Sequence, residues 1–521
     1  MRVIGISPAH DSSVAVICDG KLEKFYKEER FTRKKRDNKP INCIHKVFCD
    51  YKKGEVDAVV MASPTADAYA DTELDLVAKF FDCQSYNMNS AHHLAHASLA
   101  FNNSGFDKAS VFVIDRNGSY LNKFEREAET IFDYEHGAVE IFYRNTSYES
   151  RDKNTAGIVK VYETATKLIN QPILENGKTM GLAAYGKDSD EDLFFKEGNI
   201  DQDLFFFDSY DTDLICTNKK YFGKETSEVT KENYQFYADY AYQVQKQTQE
   251  RIVELIQFSI DETWDHNKNI CITGGYGLNV VANSYFVSKF PDVNFYFEPL
   301  ADDSGNSIGA ALYIYKKLTD DPNSYPINTT FFHGDKYSVS GIDGDDTSVE
   351  EIVSLLINNK SIGIFQGYSE AGPRSLGNRS ILFDARNPEA KDIINRIKKR
   401  EWYRPFACMV LEEDAPKYFD MMGLQSSPYM TISFKCIKPN LIPGVVHVDG
   451  SCRIQTVSEK DGVIFELLKK FKKETGISVL LNTSLNLAGD PLAETPEDSL
   501  NVLKNSELDC MWFPESGKLA R

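Results

Sequence analysis

The sequence lacks the features that place a chain in a membrane or outside the cell. Its 521 residues contain no apolar run long enough to cross a bilayer. The start, MRVIGISPAHDSSVAVI, has no basic segment followed by a continuous apolar stretch, which argues against a signal peptide. The ten cysteines include no Cys-x-x-Cys pair, so neither a zinc ribbon nor a disulfide framework is indicated. We therefore expect a cytoplasmic protein with no membrane association.

Positive charge is also scarce, because the formal net charge is −19 at pH 7. A protein that binds DNA or RNA usually presents a basic surface, so no nucleic-acid partner is expected. The densest basic run is Arg33-Lys34-Lys35-Arg36, and its simplest interpretation is a solvated loop. Hydrophobic residues make up 42% of the chain and charged residues 26%, as in a globular protein with a sizeable core.

Strand and helix patterns alternate along the chain, which predicts an α/β fold. Residues 3–6 and 13–18 read as a hairpin, followed by an Asp19-Gly20 turn. Further strands are predicted at 58–61 and 111–114 and in NICITGG and NFYFEPL. Helices are predicted in AHHLAHASLAF and at 236–264, and ADDSGNSIGAALYIYKKL is predicted to be a loop that opens a helix. Residues 318–348 are rich in Asp, Asn, Ser, Gly and Pro, so we place a domain boundary there. The predicted domains are 1–335 and 349–521.

Three of the nine histidines lie within AHHLAHASLAF. His92 and His96 are four residues apart, so on a helix both point from one face and can bind one ion. A pair of this kind also occurs in ordinary packing, and acidic partners favour the metal interpretation. Asp115 ends a predicted buried strand, where an unpaired carboxylate is costly, and Asp302 and Asp303 follow another strand. Imidazoles with carboxylates suit a divalent first-row metal such as iron, zinc or manganese.

No standard nucleotide-binding fingerprint is present. GKT at 177–179 has Pro172 where a P-loop needs glycine, and GGYGLN has Val280 where the dinucleotide motif needs its last glycine. Glycine turns follow several predicted strands, among them Gly274-Gly275 and Gly305. Turns of this kind hold phosphates in actin-like and sugar-kinase-like ATPases, because backbone N–H groups can approach an anion there.

Basic residues concentrate in the C-terminal half of this acidic chain. Arg374 and Arg379 lie in SEAGPRSLGNRS, and Lys398 and Arg404 follow in IKKREWYRPFA. Arg453 and the polar end of LLNTSLN add further candidates for a ligand site. Guanidinium groups match the geometry of phosphate and carboxylate, which predicts an anion site, although a lattice of Arg–Glu salt bridges is the competing interpretation.

Taken together, the motifs resemble the O-carbamoyltransferase family, whose members carbamoylate nodulation factors, cephamycins and aminoglycosides. The resemblance covers nearly the whole chain and is carried by these segments, in order: GISPAHDSSVAV, HHLAHA, VIDRNGS, ENGKTMGLAAYG, ITGGYGLNVVAN, DDSGNSIGAAL, EAGPRSLGNRSILFDAR, REWYRPFA, HVDGSCRIQTV and LLNTSLNLAGDPL. It implies an actin-like (Kae-type) N-terminal domain followed by a YrdC-like α/β C-terminal domain. One departure is Arg116, which stands where the family usually has glycine.

The resemblance also implies a two-stage reaction. Carbamoyl phosphate and ATP, with Mg²⁺, would form carbamoyl adenylate in the C-terminal domain. The N-terminal domain would then pass the carbamoyl group to the hydroxyl of a small-molecule acceptor and release AMP. The implied metal is Fe²⁺ or another divalent first-row ion, and its implied ligands are His92, His96, Asp115 and Asp303.

The remaining site residues follow from the same resemblance and from residue type. The expected catalytic residues are His10 as the base for the acceptor hydroxyl, together with Arg374, Lys398 and Arg404. The expected cofactor-binding residues are Lys178, Gly274, Gly275, Asn279, Arg379, Arg453, Asn482 and Ser484.

Three other functions remain open. A threonylcarbamoyl-type tRNA-modifying enzyme is disfavoured by the negative charge of the chain. An actin-like small-molecule kinase would release ADP and would not need the basic C-terminal half. A non-catalytic metal- and nucleotide-binding module would bind ligands without releasing AMP. A homodimer is compatible with the sequence.

Overall fold

The computed structural model describes residues 1–64, 68–148, 157–188, 227–263, 268–331 and 333–521. The strands are β1 (Arg2–Ser7), β2 (Ser13–Cys18), β3 (Lys21–Lys27), β4 (Ala58–Met61), β5 (Gln84–Asn87), β6 (Lys108–Ile114), β7 (Glu125–Glu135), β8 (Ala138–Tyr148), β9 (Asn269–Thr273), β10 (Asn294–Phe297), β11 (Asp345–Asp346), β12 (Ile362–Phe365), β13 (Arg379–Asp384), β14 (Ala407–Leu411), β15 (Ser433–Lys435), β16 (Ser451–Val457), β17 (Val479–Ser484), β18 (Cys510–Phe513) and β19 (Lys518–Ala520).

The helices are α1 (Glu28–Thr32), α2 (Ile41–Asp50), α3 (Ala68–Phe81), α4 (His92–Ser104), α5 (Ile158–Leu168), α6 (Asn176–Ala183), α7 (Tyr234–Thr263), α8 (Val280–Lys289), α9 (Asn306–Thr319), α10 (Val349–Ile357), α11 (Ala390–Ile397), α12 (Ala415–Tyr418), α13 (Val463–Thr475) and α14 (Pro496–Lys504). None of the helices in the described ranges combines the length and apolar character needed to span a membrane.

The chain forms two compact units, and their division does not simply follow the sequence. The first unit comprises residues 1–23 and 38–328, and the second comprises 24–37 and 329–521. Residues 24–37 lie inside the range 1–335 that the sequence analysis assigned to the first domain. The chain therefore crosses between the units three times: inside β3 (Lys21–Lys27), after residue 37, and between residues 328 and 329, which lies within the polar segment 318–348 where the sequence placed the boundary.

The first unit contains the same sheet arrangement twice. One sheet has the order β3-β2-β1-β4-β5 and the other has the order β8-β7-β6-β9-β10. In both sheets the central strand pairs antiparallel with the strand that follows it and parallel with the fourth. The predicted hairpin, the strand at 58–61 and the α/β class are thereby confirmed.

The helix that carries the histidines packs through the stripe that its apolar spacing predicted. Ala97 and Phe101 of α4 are buried in a core with Val111 and Val113 of β6. His93 lies on the same stripe, and its Nδ1 is 2.8 Å from the hydroxyl of Thr130 in β7. His92 and His96 lie on a different stripe of the helix, one position earlier, which does not contribute to this core.

Helix α9 lies so close to α4 that a glycine is required between them. A Cβ at Gly309 would come 1.9 Å from the carbonyl oxygen of Ala95. We expect Gly309→Ala to lower the free energy of unfolding by about 1–3 kcal/mol, because neither backbone can yield locally. Thermal unfolding would measure this. Gly177→Ala in α6 is the control, since its Cβ would meet nothing within 4 Å; equal stability losses in both variants would contradict the close packing of α4 on α9.

The second unit is built on one nine-stranded mixed sheet. Its order is β11-β19-β18-β12-β13-β17-β14-β16-β15. Helices α10 and α13 cover the sheet with a core that includes Leu356, Leu467 and Phe471. The first of these helices begins at Val349, where helical periodicity was predicted to resume.

Buried contacts attach residues 24–37 to the rest of the second unit. The backbone N–H of Lys27 donates to His333 Nε2 at 2.6 Å, and His333 Nδ1 lies 2.8 Å from a Glu494 carboxylate oxygen. Arg30 donates to the carbonyl oxygen of Glu370 at 3.0 Å. Arg33 donates to two further carbonyl oxygens, those of Pro491 and Leu492. The interpretation of the basic run at 33–36 as a solvated loop is therefore wrong for Arg33.

Candidate functional site

The four residues expected to bind a metal lie together in the first unit. His92 and His96 extend from the first turn of α4, Asp115 follows β6, and Asp303 begins the turn that leads into α9. One ligand atom from each lies within 4.8 Å of the other three, and all four residues are buried. His96 Nε2 is 3.5 Å from an Asp303 oxygen, and His92 Nε2 is 3.5 Å from an Asp115 oxygen.

The contacts of His96 fit a bound cation. The residue has no exposed surface, and neither ring nitrogen has a hydrogen-bond partner in the part of the chain that the structure describes. A buried polar atom without a partner is costly, and a metal ion held by a ring nitrogen removes that cost. The donors are two imidazoles and two carboxylates, a set that suits a divalent first-row ion. The residues present therefore fit the implied metal.

The electrostatics of this cluster are dominated by its two carboxylates. Burial lowers the pKa of His92, but Asp303 and Asp115 outweigh burial and raise that pKa to about 9. Burial raises the pKa of Asp303, but His10 and His92 outweigh it and hold the pKa well below its usual value. Burial raises the pKa of Asp115 as well, but His92 and His96 outweigh it and lower that pKa. Both carboxylates are therefore ionised and stabilise positive charge at the site.

His10 and the Gly274-Gly275 turn border the same cluster. His10 Nε2 is 3.5 Å from Asp303, and its Nδ1 is 3.0 Å from Asp11. The Asp303 carboxylate is the main cause that raises the pKa of His10 to about 10. The backbone N–H of Gly275 donates to Asp115 at 3.2 Å. Gly274 has a φ of +79°, and a Cβ there would come 2.5 Å from the Ile114 carbonyl oxygen.

Asp302 and Asp303 have different contacts in the structure. The Asp302 side chain caps the turn by accepting a hydrogen bond from the backbone N–H of Ser304 at 3.1 Å. Asp303 is the carboxylate that reaches the histidines. The sequence pattern left both residues open as ligands, and only the family resemblance chose between them.

Two expected nucleotide ligands make local bonds in the first unit. Lys178 in α6 donates to the side-chain oxygen of Gln171 at 2.6 Å. Asn279 caps α8 by accepting from Ala282, and its amide donates to Gln245 at 3.0 Å.

In the second unit, the sheet register places two of the expected anion ligands in one row. Arg453 of β16 lies opposite Ala407 of β14, which in turn lies opposite Asn482 of β17. Residues directly opposite each other on paired strands point to the same face of a sheet. The small side chain of Ala407 therefore separates Arg453 from Asn482 on that face.

Several cations surround this row, and we call them the cationic cluster: Lys35, Arg374, Lys398, Arg400, Arg404 and Arg453. Burial lowers the pKa of Arg453, and the charges of Arg374 and Arg404 lower that pKa further. Burial likewise lowers the pKa of Lys398, and Arg400, Arg404 and Lys35 add to the effect. Glu401 lies 3.6 Å from Arg404. Neighbouring like charges around the buried Lys398 favour a bound anion.

Polar residues at the end of β17 and directly after it hold Lys398 and the loop that carries Arg374. Lys398 Nζ donates to the Ser484 hydroxyl at 3.2 Å and to the Asn486 side chain at 2.8 Å. The Asn482 amide donates to the carbonyl oxygen of Ser375 at 3.1 Å. Ser484 therefore contacts the cationic cluster directly, whereas Asn482 positions the residue beside Arg374.

Arg379 occupies a different environment from the one expected. Its side chain is fully buried, it stacks 3.6 Å from the Phe365 ring, and it donates to the carbonyl oxygens of Asn378, Gly367 and Glu494 at 3.0, 3.1 and 3.3 Å. These bonds join β13 to its neighbouring segments. We therefore leave Arg379 out of the proposed anion site.

Sequence reasoning missed two members of the cationic cluster, Arg400 and Lys35. Arg400 donates to the Asn395 side chain at 2.7 Å and packs 4.2 Å from the ring of Phe406. The signal for Arg400 was its place between Lys398 and Arg404 in the same basic run. Lys35 belongs to the run that we interpreted as a loop, and only the chain topology brings it to the second unit.

Comparison with known proteins identifies the family. The protein-family model of the carbamoyltransferase N-terminus matches residues 66–312, and the family model of the carbamoyltransferase C-terminus matches residues 353–516. An uncharacterised protein of Synechocystis is 29% identical, with 98% of this chain and 95% of that protein covered. The nodulation protein NolO of Bradyrhizobium diazoefficiens is 28% identical over 80% of this chain and 76% of its own length. Nodulation protein U of Rhizobium fredii is 36% identical over 43% of this chain and 39% of its own.

The chain thus belongs to the carbamoyltransferase family and is a carbamoyltransferase enzyme. The His/Asp cluster falls within the first unit, and all four of its residues lie inside the matched range 66–312. The Arg and Lys residues of the cationic cluster, apart from Lys35, lie inside the matched range 353–516.

Proposed function

We propose that this enzyme is an ATP-dependent O-carbamoyltransferase. In the second unit, water cleaves carbamoyl phosphate to carbamate and phosphate, and a carbamate oxygen then attacks the α-phosphorus of ATP, which forms carbamoyl adenylate and releases pyrophosphate. In the first unit, the carbamoyl group passes to a hydroxyl of a small molecule or sugar and AMP leaves. The observation that carries the proposal is the cationic cluster, in which Arg453, in one row with Ala407 and Asn482, and Lys398, bonded to Ser484, lie among further positive charges.

The chemistry of the first stage accounts for that charge. Carbamoyl phosphate is a small anion, and the attack of carbamate on ATP brings two anions together. Fixed cations in a water-poor site stabilise both the bound anions and the transition state, at no cost of reorganisation. Arg374, Lys398, Arg404 and Arg453 are the proposed ligands, with Arg400 and Lys35 adding positive charge. ATP enters with Mg²⁺.

For the second stage we propose His10 as the base, once a divalent ion held by Asp303 offsets the carboxylate charge that otherwise raises the pKa of His10 and keeps its imidazole protonated. Its imidazole borders the His/Asp cluster, and Asp11 holds its Nδ1, so that Nε2 faces the cluster. A positioned base of this kind typically contributes about 10²–10⁴-fold to rate. His92, His96, Asp115 and Asp303 would hold Fe²⁺ or another divalent ion, which when bound supplies Lewis-acid activation.

The proposal extends to fold type and cellular setting. The duplicated five-stranded sheets support an actin-like, Kae-type first unit. The mixed sheet that carries the cationic cluster supports a YrdC-like second unit, which generates the activated intermediate. Arg379 and Asn482 then serve the scaffold of that unit, and Gly274, Gly275, Lys178 and Asn279 line the nucleotide side of the first. We place the reaction in the cytoplasm, with no nucleic-acid or membrane partner.

Product analysis tests the proposed reaction. The protein is incubated with ATP, carbamoyl phosphate, Mg²⁺ and Fe²⁺, and the nucleotides are separated by chromatography. We expect conversion of ATP to AMP and pyrophosphate. Omission of carbamoyl phosphate is the control and should abolish pyrophosphate release. Formation of ADP instead would indicate a kinase and would contradict the proposal.

A further inference from the structure

A charged pair stands beside the His/Asp cluster, next to one of its four residues. Arg116 directly follows Asp115, and its Nε donates to both carboxylate oxygens of Glu163 in α5, at 2.8 and 3.1 Å. The side chain of Arg116 is 34% exposed, whereas that of Glu163 is 7% exposed. The arginine therefore covers a buried carboxylate while part of its own side chain stays exposed.

The pairing with Glu163 occupies one of the three guanidinium nitrogens of Arg116. Glu163 engages Nε alone, and neither terminal nitrogen of Arg116 has a partner among the described residues. A guanidinium has five N–H donors in a planar fork, of which four belong to the terminal nitrogens. Since Glu163 fixes the base of this fork, the terminal donors are presented in a set direction, which suits a carboxylate or phosphate.

We propose that Arg116 binds an anionic group, a carboxylate or a phosphate, on the acceptor whose hydroxyl is carbamoylated. This inference rests on the proposed function, because it assigns the acceptor class of the same site. Glu163 is a positioning residue for Arg116. The anionic group would lie on the side of Asp115 that faces α5.

The position of Arg116 favours the acceptor over the nucleotide. The family resemblance places glycine here, so the steps that family members share, including AMP release, do not need this side chain. A residue that departs from the family is expected to serve what differs between members, which is the acceptor. Charge is compatible with this choice, because a divalent ion with two carboxylates and two neutral imidazoles would be neutral, so the loaded cluster would not repel an anion bound by the terminal nitrogens of Arg116.

Calorimetric titration of the full-length protein tests the proposal. The ligands are glucuronate, glucose 6-phosphate and glucose, which share a ring and its hydroxyls but differ in the anionic group. AMP is titrated in parallel as the nucleotide probe. We expect at least one anionic ligand to bind more tightly than glucose. Arg116→Gln should weaken that ligand about 10-fold or more and leave glucose unchanged, because a charge-assisted bidentate contact is lost. The preferred anionic ligand distinguishes carboxylate from phosphate.

Two further variants keep the result interpretable. Arg116→Gln leaves Glu163 buried without its partner, so the double variant Arg116→Gln/Glu163→Gln, which retains an amide pair, should show the same loss. Lys123→Gln removes an exposed positive charge from the same loop and should leave all affinities unchanged.

Unchanged affinity for the anionic ligands in Arg116→Gln, or no preference for them over glucose in the wild type, overturns the proposal. So does a loss of AMP affinity alone, which would assign Arg116 to the nucleotide. Pyrophosphate release from ATP and carbamoyl phosphate is measured in parallel. Its absence in the wild type would count against the proposed function and would leave the titration result standing.

Discussion

Arg453→Gln is expected to lower the carbamoyl-phosphate-dependent exchange of labelled pyrophosphate into ATP about 100-fold or more. Removal of one fixed donor from a preorganised anion site typically costs about 10²–10³ in rate. The exchange reaction needs no acceptor, so the unknown hydroxyl compound does not limit the measurement. Arg396→Gln is the control, because that arginine lies in the same unit but forms an exposed pair with Glu507.

The stability of Arg453→Gln should move in the opposite direction from its activity. Arg374 and Arg404 repel the Arg453 charge, and burial disfavours it as well. Loss of that charge is therefore expected to leave the melting temperature unchanged or higher, as at sites where function opposes stability. A variant that melted earlier and kept its exchange rate would show that Arg453 supports the fold and not the reaction.

His96→Ala is expected to reduce the metal content of the purified protein to less than about a tenth of the wild-type value. The imidazole is one of four ligands, and loss of one ligand weakens binding more than the 10–100-fold typical of residues that only support a ligand. Elemental analysis measures the content. Removal of metal with a chelator should lower the melting temperature of the wild type, because a ligand bound only by the folded state stabilises it.

The neighbouring histidine provides the control for that variant. His93 lies on the sheet-facing stripe of the same helix and contacts Thr130. His93→Gln should therefore retain its metal, and the chelator should lower its melting temperature as in the wild type. Equal metal content in His96→Ala and the wild type would contradict the metal centre.

Local patterns predicted the helix and strands that carry the metal site. In α4, the stripe with Ala97 and Phe101 sets the packed face, so the positions of His92 and His96 on another face follow from helix periodicity alone. Asp115 could be placed because an apolar run ended at it. These predictions depended on residues close together in the sequence. Over such short distances, the spacing of residues in a helix or strand determines which way their side chains point.

Long-range pairings could not be read in this way. Residues 24–37 join the second unit through contacts such as Arg30 with Glu370, hundreds of positions away. The strands β7 and β8 escaped prediction because charged residues within them are buried and paired, as Glu127 is with Arg144 at 3.0 Å. Arg379 was expected at a ligand from its residue type, yet its contacts are with backbone carbonyl oxygens.

The central claim is that activation of carbamoyl phosphate and delivery of the carbamoyl group use separate sets of residues. The most direct measurement is pyrophosphate exchange in His96→Ala and Arg453→Gln side by side, together with their metal content. We predict that His96→Ala loses its metal and exchanges pyrophosphate at close to the wild-type rate, while Arg453→Gln keeps its metal and loses exchange. Loss of exchange in His96→Ala to the level of Arg453→Gln, in protein that remains folded, would contradict this division.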